Sequence, residues 1–153
     1  MNLINKRVDK MEENDFLKEG YKFTTRGMTI PDAAIFLYAS LTGESHPAHE
    51  DDIYAKNSIF GRRIVQGLLT LSICQGFLSR EYGIIEYGKA NLGINNVRFK
   101  RPVFPGDTIR VRGEVVSVRE SNKNPKNKIV KISMSGFNQN EQEVISYETV
   151  LLF

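Results

Sequence analysis

Three side chains able to transfer protons lie between positions 44 and 49, in the polar segment Thr42 to His49. His46 and His49 are the only two histidines of the chain, and Glu44 precedes the first by two positions. Imidazole titrates near neutral pH, and a nearby carboxylate can take up a proton or orient one. Because Pro47 restrains the backbone before it, these groups can face one small volume. The segment therefore predicts a site for acid–base chemistry.

Two other interpretations of Glu44, His46 and His49 stay open. The polar residues can simply cap the short helix expected over Glu50–Lys56. A carboxylate and two imidazoles can also hold zinc, although their spacing matches no recognised ligand pattern. We expect no metal ion here.

A second feature is the pair Gln66-Gly67, which opens an almost entirely apolar helix over Leu68–Leu78. The first amides of a helix have no intrahelical acceptor and lie at the positive end of its dipole. A glycine there allows a ligand oxygen to approach the backbone closely, which suits an enolate or oxyanion. Alternatively, Gly67 only permits close packing of the helix against a sheet.

Composition predicts a single globular domain and excludes several classes of function. The chain has 153 residues, 41% hydrophobic and 25% charged, with a net charge of +3. Its cations are dispersed, which argues against nucleic-acid binding, and no apolar run is long enough to cross a membrane. The single cysteine, Cys74, excludes an internal disulfide and fits a reducing compartment, so we expect a cytoplasmic protein.

Hydrophobic periodicity predicts an α+β domain over residues 20–153, preceded by a flexible arm over residues 1–19. Thr29 is expected to cap the first helix and Gly43 to end it. The later strands have short connections, so the sheet should be mostly antiparallel and curved around the apolar helix. The expected elements are a strand at Tyr21–Met28, helices at Asp32–Leu41, Glu50–Lys56 and Leu68–Leu78, a short strand at Ile84–Tyr87, and strands within residues 92–99, 109–116 (with a bulge at Val115-Val116), 130–134 and 145–153.

Three segments in order resemble the MaoC-like dehydratases, the (R)-specific enoyl-CoA hydratases. Residues 42–49 (TGESHPAH) resemble the family motif G-D-x-N-P-x-H, and residues 60–69 (FGRRIVQGLL) resemble F-G-x-x-I-A-H-G-M-L. Residues 96–108 (NVRFKRPVFPGDT) are similar to its strand-turn-strand segment. The resemblance covers roughly residues 20–153 and implies a hot-dog fold, in which a sheet wraps one long helix. It also implies a homodimer, or a higher homo-oligomer.

The resemblance also implies an activity, the hydration of an enoyl-CoA thioester or the reverse dehydration, with no cofactor beyond the coenzyme A of the substrate. Glu44 takes the place of the catalytic aspartate, His49 that of the histidine, and Gly67 that of the glycine whose amide binds the thioester oxygen. His46 and Gln66 replace asparagine and histidine and are expected to contact substrate. The candidate contacts for the coenzyme phosphates are Arg62, Arg63, Arg98, Lys100 and Arg101.

The departures from the family motif matter most at Glu44. Glutamate carries its carboxylate one methylene, roughly 1.5 Å, further from the backbone than aspartate does. A misplacement on the order of 1 Å can cost roughly a hundredfold in rate unless the backbone compensates. Two further functions remain open on the same fold: an acyl-CoA thioesterase, and a non-catalytic protein that binds acyl-CoA.

Overall fold

The computed structural model describes residues 15–153, so most of the expected arm lies outside the described residues. Its strands pair antiparallel throughout, in the order β1-β4-β5-β6-β3, with β2 also on β4. The strands are β1 (Lys22–Thr24), β2 (Met28–Thr29), β3 (Ala90–Phe99), β4 (Thr108–Glu120), β5 (Lys128–Phe137) and β6 (Glu143–Leu152), and the helices are α1 (Asp32–Thr42), α2 (Pro47–Glu50), α3 (Asp52–Lys56), α4 (Gly67–Leu78) and α5 (Tyr82–Tyr87).

Alternating side chains of the long strands form one face of the core. In β4, Ile109, Val111, Gly113 and Val115 are buried, while the residues that alternate with them are partly or fully exposed. The register of β4 against β5 shifts between Val115 and Ser117, which confirms the predicted bulge. A bulge adds local twist and bends the strand, so it helps the sheet to curve around the helix.

The apolar helix α4 packs its Thr70, Cys74, Phe77 and Leu78 side chains into this core. A Cβ atom at Gly136 would lie 3.0 Å from Cys74 Sγ, so the glycine allows helix and sheet to approach closely. Burial raises the pKa of the Cys74 thiol to about 12, which keeps it protonated and unreactive. The helix was expected to be buried on nearly all sides, but Leu68 is 54% exposed because the sheet covers one side only.

Two expectations about local structure need correction. The segment Ile84–Tyr87 belongs to helix α5 and is not a strand. Thr29 does not cap α1: its hydroxyl pairs with that of Thr108 at 2.8 Å, and Pro31 occupies the N-cap position. The expected stop at Gly43 is confirmed, because this residue ends α1 with a positive φ of 78°.

The arm expected over residues 1–19 does not extend that far. Residues Asp15–Leu17 form a turn of 3-10 helix, and Phe16 is only 3% exposed within the core. Its ring packs edge-on against Tyr21 at a centroid distance of 5.3 Å and at a tilt of 59° against Phe23 at 5.2 Å. The ordered packing of the domain therefore includes residue 15 onward.

Candidate active site

Helix α2 is a single turn that carries His49. His46 caps its start, where the Nδ1 atom accepts a hydrogen bond from the Ala48 amide at 3.1 Å. Pro47 follows at the first helical position, where its missing N–H costs nothing. Asp51 then caps α3 by accepting from the amides of the two residues that follow Asp52. The two capping interactions and Pro47 thus determine the backbone position of His49.

The His49 ring is buried, 9% exposed, and its tautomer follows from its partner. Its Nδ1 atom lies 2.8 Å from the carbonyl oxygen of Ile64. Because a carbonyl oxygen only accepts, Nδ1 must carry the proton that it donates. In the neutral ring, the Nε2 atom therefore offers a lone pair.

The Nε2 atom of His49 lies 3.8 Å from Oε1 of Glu44, whose side chain is about half-exposed. This separation exceeds a direct hydrogen bond and suits a bridging water molecule. Glu44 follows the left-handed Gly43, and its amide donates to the Thr42 hydroxyl at 3.3 Å. The structure therefore brings together the carboxylate and the imidazole that the sequence predicts.

A cleft of about 400 Å³ opens beside His49 and the first turn of α4. Most of its walls are apolar, and the rim after β3 contributes cations. The lining residues are His49, Phe60, Ile64, Val65, Gly67, Thr70, Phe99, Lys100, Arg101, Pro102, Val103 and Val144.

Gly67 lies at the base of this cleft, at the first position of α4. A Cβ atom there would meet the ring of Phe99 at 3.1 Å, so a side chain would have to displace the ring. The amides of this first turn have no acceptor within the helix and are free to bind an anionic oxygen. The glycine thus allows close packing against Phe99, and its backbone faces the cleft.

Of the predicted cation contacts, Lys100 and Arg101 line the cleft. The Lys100 ammonium pairs with Glu143 at 2.6 Å, and Arg101 donates to the Glu143 carbonyl at 2.8 Å. The Lys100 ammonium is also the main cause that lowers the pKa of the Glu143 carboxyl. Both cations therefore have partners that an incoming phosphate would have to share.

The other five predicted contacts are absent from the described residues that line the cleft, and so is Glu44; the five are His46, Arg62, Arg63, Gln66 and Arg98. The His46 ring packs edge-on against Tyr54, at a centroid distance of 5.7 Å. Gln66 is fully buried and donates its Nε2 to the Ile35 carbonyl at 3.1 Å. The Arg62 guanidinium stacks over Phe104 at 3.7 Å, and Arg98, which is exposed, donates to a neighbouring carbonyl.

No cluster of three metal-binding side chains occurs among residues 15–153. His46 and His49 have ring centroids 6.1 Å apart and are tilted by 68°. The Nδ1 atom of each ring is already used in a hydrogen bond to the backbone. The geometry gives no support to the zinc alternative.

Comparison with known protein families shows what this chain is similar to. The family model for the MaoC like domain matches residues 15–136. The chain belongs to the MaoC-like domain family.

Two curated relatives of this MaoC-like domain are Protein MaoC of Klebsiella aerogenes and an (R)-specific enoyl-CoA hydratase of Rhodospirillum rubrum. The first is 41% identical over 63% of this chain and 28% of its own length. The second is 34% identical over 61% of this chain and 62% of its own. The chain thus spans less than two thirds of either relative.

Solved structures confirm the hot-dog fold expected of this MaoC-like domain. A monoamine oxidase regulatory protein from Archaeoglobus fulgius superposes with a TM-score of 0.81 at 33% identity, covering 89% of this chain and 90% of its own. A Mycobacterium tuberculosis protein described as a double hot-dog fold gives 0.80 at 21% identity, covering 91% of this chain and 43% of its own.

Two residues of the MaoC-like site escaped the sequence analysis. Ile64 acts through its backbone carbonyl, which leaves no trace in residue type. Thr70 lines the cleft and donates its hydroxyl to the Gln66 carbonyl at 3.2 Å. Its position three residues after Gly67, on the same face of α4, is the signal that could have found it.

No helix among residues 15–153 is long and apolar enough to cross a membrane.

Proposed function

We propose that this MaoC-like domain adds water across the α,β double bond of an acyl-CoA thioester and catalyses the reverse dehydration. The observation that carries the proposal is the 3.8 Å separation of Glu44 Oε1 and His49 Nε2 beside a cleft that ends at Gly67. The relative from Rhodospirillum rubrum is named for this reaction. A cleft of about 400 Å³ is within the ordinary range for a small ligand.

The nucleophile is a water molecule held between Glu44 and His49. Since Nδ1 of His49 carries the ring proton, both Nε2 and the Glu44 carboxylate accept hydrogen bonds. A water that donates one hydrogen to each has its lone pairs directed away from both. The oxygen is then oriented toward a substrate in the cleft, as proximity catalysis requires.

The water oxygen bonds to the β-carbon while Glu44 takes one of its protons. The double-bond electrons move toward the thioester oxygen and form an enolate. That proton then passes by way of His49 Nε2 to the α-carbon, and the enolate collapses to the carbonyl. The net change is OH on the β-carbon and H on the α-carbon, with both protein groups restored.

The amide at Gly67 stabilises the developing charge on the thioester oxygen. It lies at the positive end of α4, and the adjacent walls Val65, Val103 and Val144 are apolar and buried. Electrostatic stabilisation is worth more in such a water-poor environment than in bulk solvent. The same walls suit an acyl chain, and the cations at the rim suit the coenzyme phosphates.

The test is hydration of crotonyl-CoA, followed by loss of the absorbance of its conjugated thioester. We expect Glu44→Gln and His49→Gln each to lower kcat by at least about a hundredfold, the range typical of general acid–base groups. Glu120→Gln is the matched control, since this exposed carboxylate pairs with Lys128 on a distant hairpin. Full turnover in His49→Gln would contradict the assignment. Release of free CoA thiol would indicate a thioesterase, and tight binding without turnover an acyl-CoA-binding protein.

We also propose that two copies of the domain associate through β3. This strand ends the sheet, so its outer edge has no strand partner among the described residues. It carries the exposed apolar residues Leu92, Ile94 and Phe99, and the Phe99 ring lies against Gly67 at the start of α4. A long open edge with apolar side chains is a liability in a monomer, and a second β3 would pair it.

A further inference from the structure

Arg63 is a partly buried cation that the sequence analysis counted among candidate phosphate contacts. Its side chain is only 16% exposed, and each of its three nitrogens has a partner. One terminal nitrogen lies 2.9 Å from Asp32, and Nε lies 2.6 Å from Asp52. The other terminal nitrogen lies 3.5 Å from the carbonyl oxygen of His49. Arg63 is also absent from the described residues that line the cleft.

The two carboxylates belong to different helices on either side of His49. Asp32 is the first residue of α1, and Asp52 is the first residue of α3. Helix α2, which carries His49, lies between them in the chain. The guanidinium therefore joins three successive elements at the point where the imidazole emerges.

The residue after Arg63 holds the imidazole directly. The Ile64 carbonyl accepts from His49 Nδ1 at 2.8 Å, and the Ile64 amide donates to the Ala48 carbonyl at 3.2 Å. The backbone at Ile64 is thus bonded both to the main chain just before His49 and to the His49 ring. A shift of that backbone would therefore move the ring relative to Glu44.

We propose that Arg63 is a positioning residue, which clamps α1 and α3 to the segment whose Ile64 carbonyl orients His49. The proposal rests on the proposed hydration at Glu44 and His49. The planar guanidinium donates in several fixed directions, so it can engage both carboxylates at once. Lysine, with a single ammonium group, cannot reproduce that geometry.

Both carboxylates are at least half-exposed, so these ion pairs add little to global stability. The expected effect of removing the guanidinium is therefore on the rate more than on the melting temperature. Misplacing a catalytic group by about 1 Å costs roughly a hundredfold in rate. For Arg63→Ala we expect kcat for crotonyl-CoA to fall by about ten- to a hundredfold, with KM within about threefold of wild type.

Three variants separate positioning from other roles. Arg63→Lys should recover only part of kcat, and Asp52→Asn should lower it in the same direction. If the residues act as one clamp, the Arg63→Ala and Asp52→Asn losses will not add in the double variant. Arg112→Ala is the matched control, because this arginine also pairs with a carboxylate and stacks on a ring, Phe137, on the outer face of the sheet. It should leave kcat unchanged.

A second measurement does not depend on turnover. With only two histidines, the side-chain nitrogens of His49 can be assigned by NMR against a His46→Gln spectrum. We expect the Nδ1–H tautomer in the wild type and loss of that single tautomer in Arg63→Ala and Asp52→Asn. If the wild type fails to hydrate enoyl-CoA but the tautomer responds in this way, the proposed function fails and the clamp stands.

Three results would overturn the proposal. One is an unchanged kcat and tautomer in Arg63→Ala. Another is a rise in KM of more than about tenfold at constant kcat, which would make Arg63 a phosphate contact. The third is a kcat loss in Arg63→Ala no larger than that in Arg112→Ala, which would mean that Arg63 supports the fold in general and does not position His49. Should Arg63→Ala fail to fold, Arg63→Lys and Asp52→Asn decide the question by the same readouts.

Discussion

At the scale of single residues, Glu44 stands where the family motif has aspartate, and the geometry of its loop can explain this difference. Glu44 reaches to 3.8 Å from His49 Nε2, with its backbone directly after the left-handed turn at Gly43. A shorter side chain on the same backbone would end roughly 1.5 Å nearer the main chain. The extra methylene therefore matches where this loop places its backbone.

Glu44→Asp should consequently impair the domain, although aspartate is the family residue. We expect kcat for crotonyl-CoA to fall by about ten- to a hundredfold, because the carboxylate no longer shares a water with His49. Steady-state kinetics would measure this, with the melting temperature as a check on folding. Equal or higher kcat in Glu44→Asp would show that the loop adapts to either length.

A second prediction at the scale of single residues concerns Gly67. A methyl group there would lie 3.1 Å from the ring of Phe99, which is 52% exposed and free to give way. Gly67→Ala should therefore fold but place a methyl group beside the amide that we propose binds the oxyanion, and lower kcat/KM by about tenfold or more.

Gly76→Ala on the same helix is the control for Gly67→Ala. A Cβ atom at Gly76 would meet nothing within 4 Å. In a helix, alanine is favoured over glycine by about 0.5–1 kcal/mol, so this variant should gain stability and keep its activity. Thermal melts and kinetics of the two variants distinguish loss of the site from loss of the helix. An unaltered kcat/KM in Gly67→Ala would argue against an oxyanion role for this turn.

At the scale of elements, helix α4 approaches the sheet closely at Gly136. A Cβ atom there would lie 2.7 Å from Ile145 and 3.0 Å from the sulfur of Cys74, and all three residues are buried. Gly136→Ala should destabilise the domain by about 1–3 kcal/mol, the usual cost of overpacking a core. Denaturant unfolding would measure this. Adding Cys74→Ser should recover part of the loss only if the close contact with the sulfur causes it.

Hydrophobic periodicity predicts an element well when the element is long enough to repeat the pattern several times. Helix α4 starts one residue before the predicted Leu68 and ends where predicted, and the bulge near Val115 is confirmed. Helix α5 was misassigned because Ile84 and Ile85 favour strands, and its six residues are too short to show a helical period. Its position directly after α4 overrides that local preference.

The residues of the candidate site also divide into those that the sequence predicts and those that it does not. Glu44, His49 and Gly67 were predicted from residue type and motif, and the structure brings the first two into one another's reach. The contacts of Arg63 and of the Ile64 carbonyl were not predicted, because they join residues that are 11 to 31 positions apart in the chain. Spacing along the chain carries no information about such contacts until the fold is known.

At the scale of the whole molecule, the uncovered edge at β3 makes a prediction about association. Wild type should have twice the chain mass of 17.4 kDa in light scattering after gel filtration. Ile94→Lys, which puts a charge on that edge, should shift the mass toward one chain. Val116→Lys is the control, because this exposed apolar residue lies on β4 in the interior of the sheet. A single-chain mass for the wild type would exclude pairing through β3.

The hydrogen bond from His49 to the main chain at Ile64 also has a practical consequence. Natural drift or laboratory selection can exchange the side chain at position 64 without removing the oxygen that orients the imidazole. That side chain is part of the cleft wall, so its size is separable from the chemistry. If the domain acts on acyl thioesters as proposed, position 64 is accordingly where a library of variants can change the preferred acyl group while the hydrogen bond that orients His49 is kept.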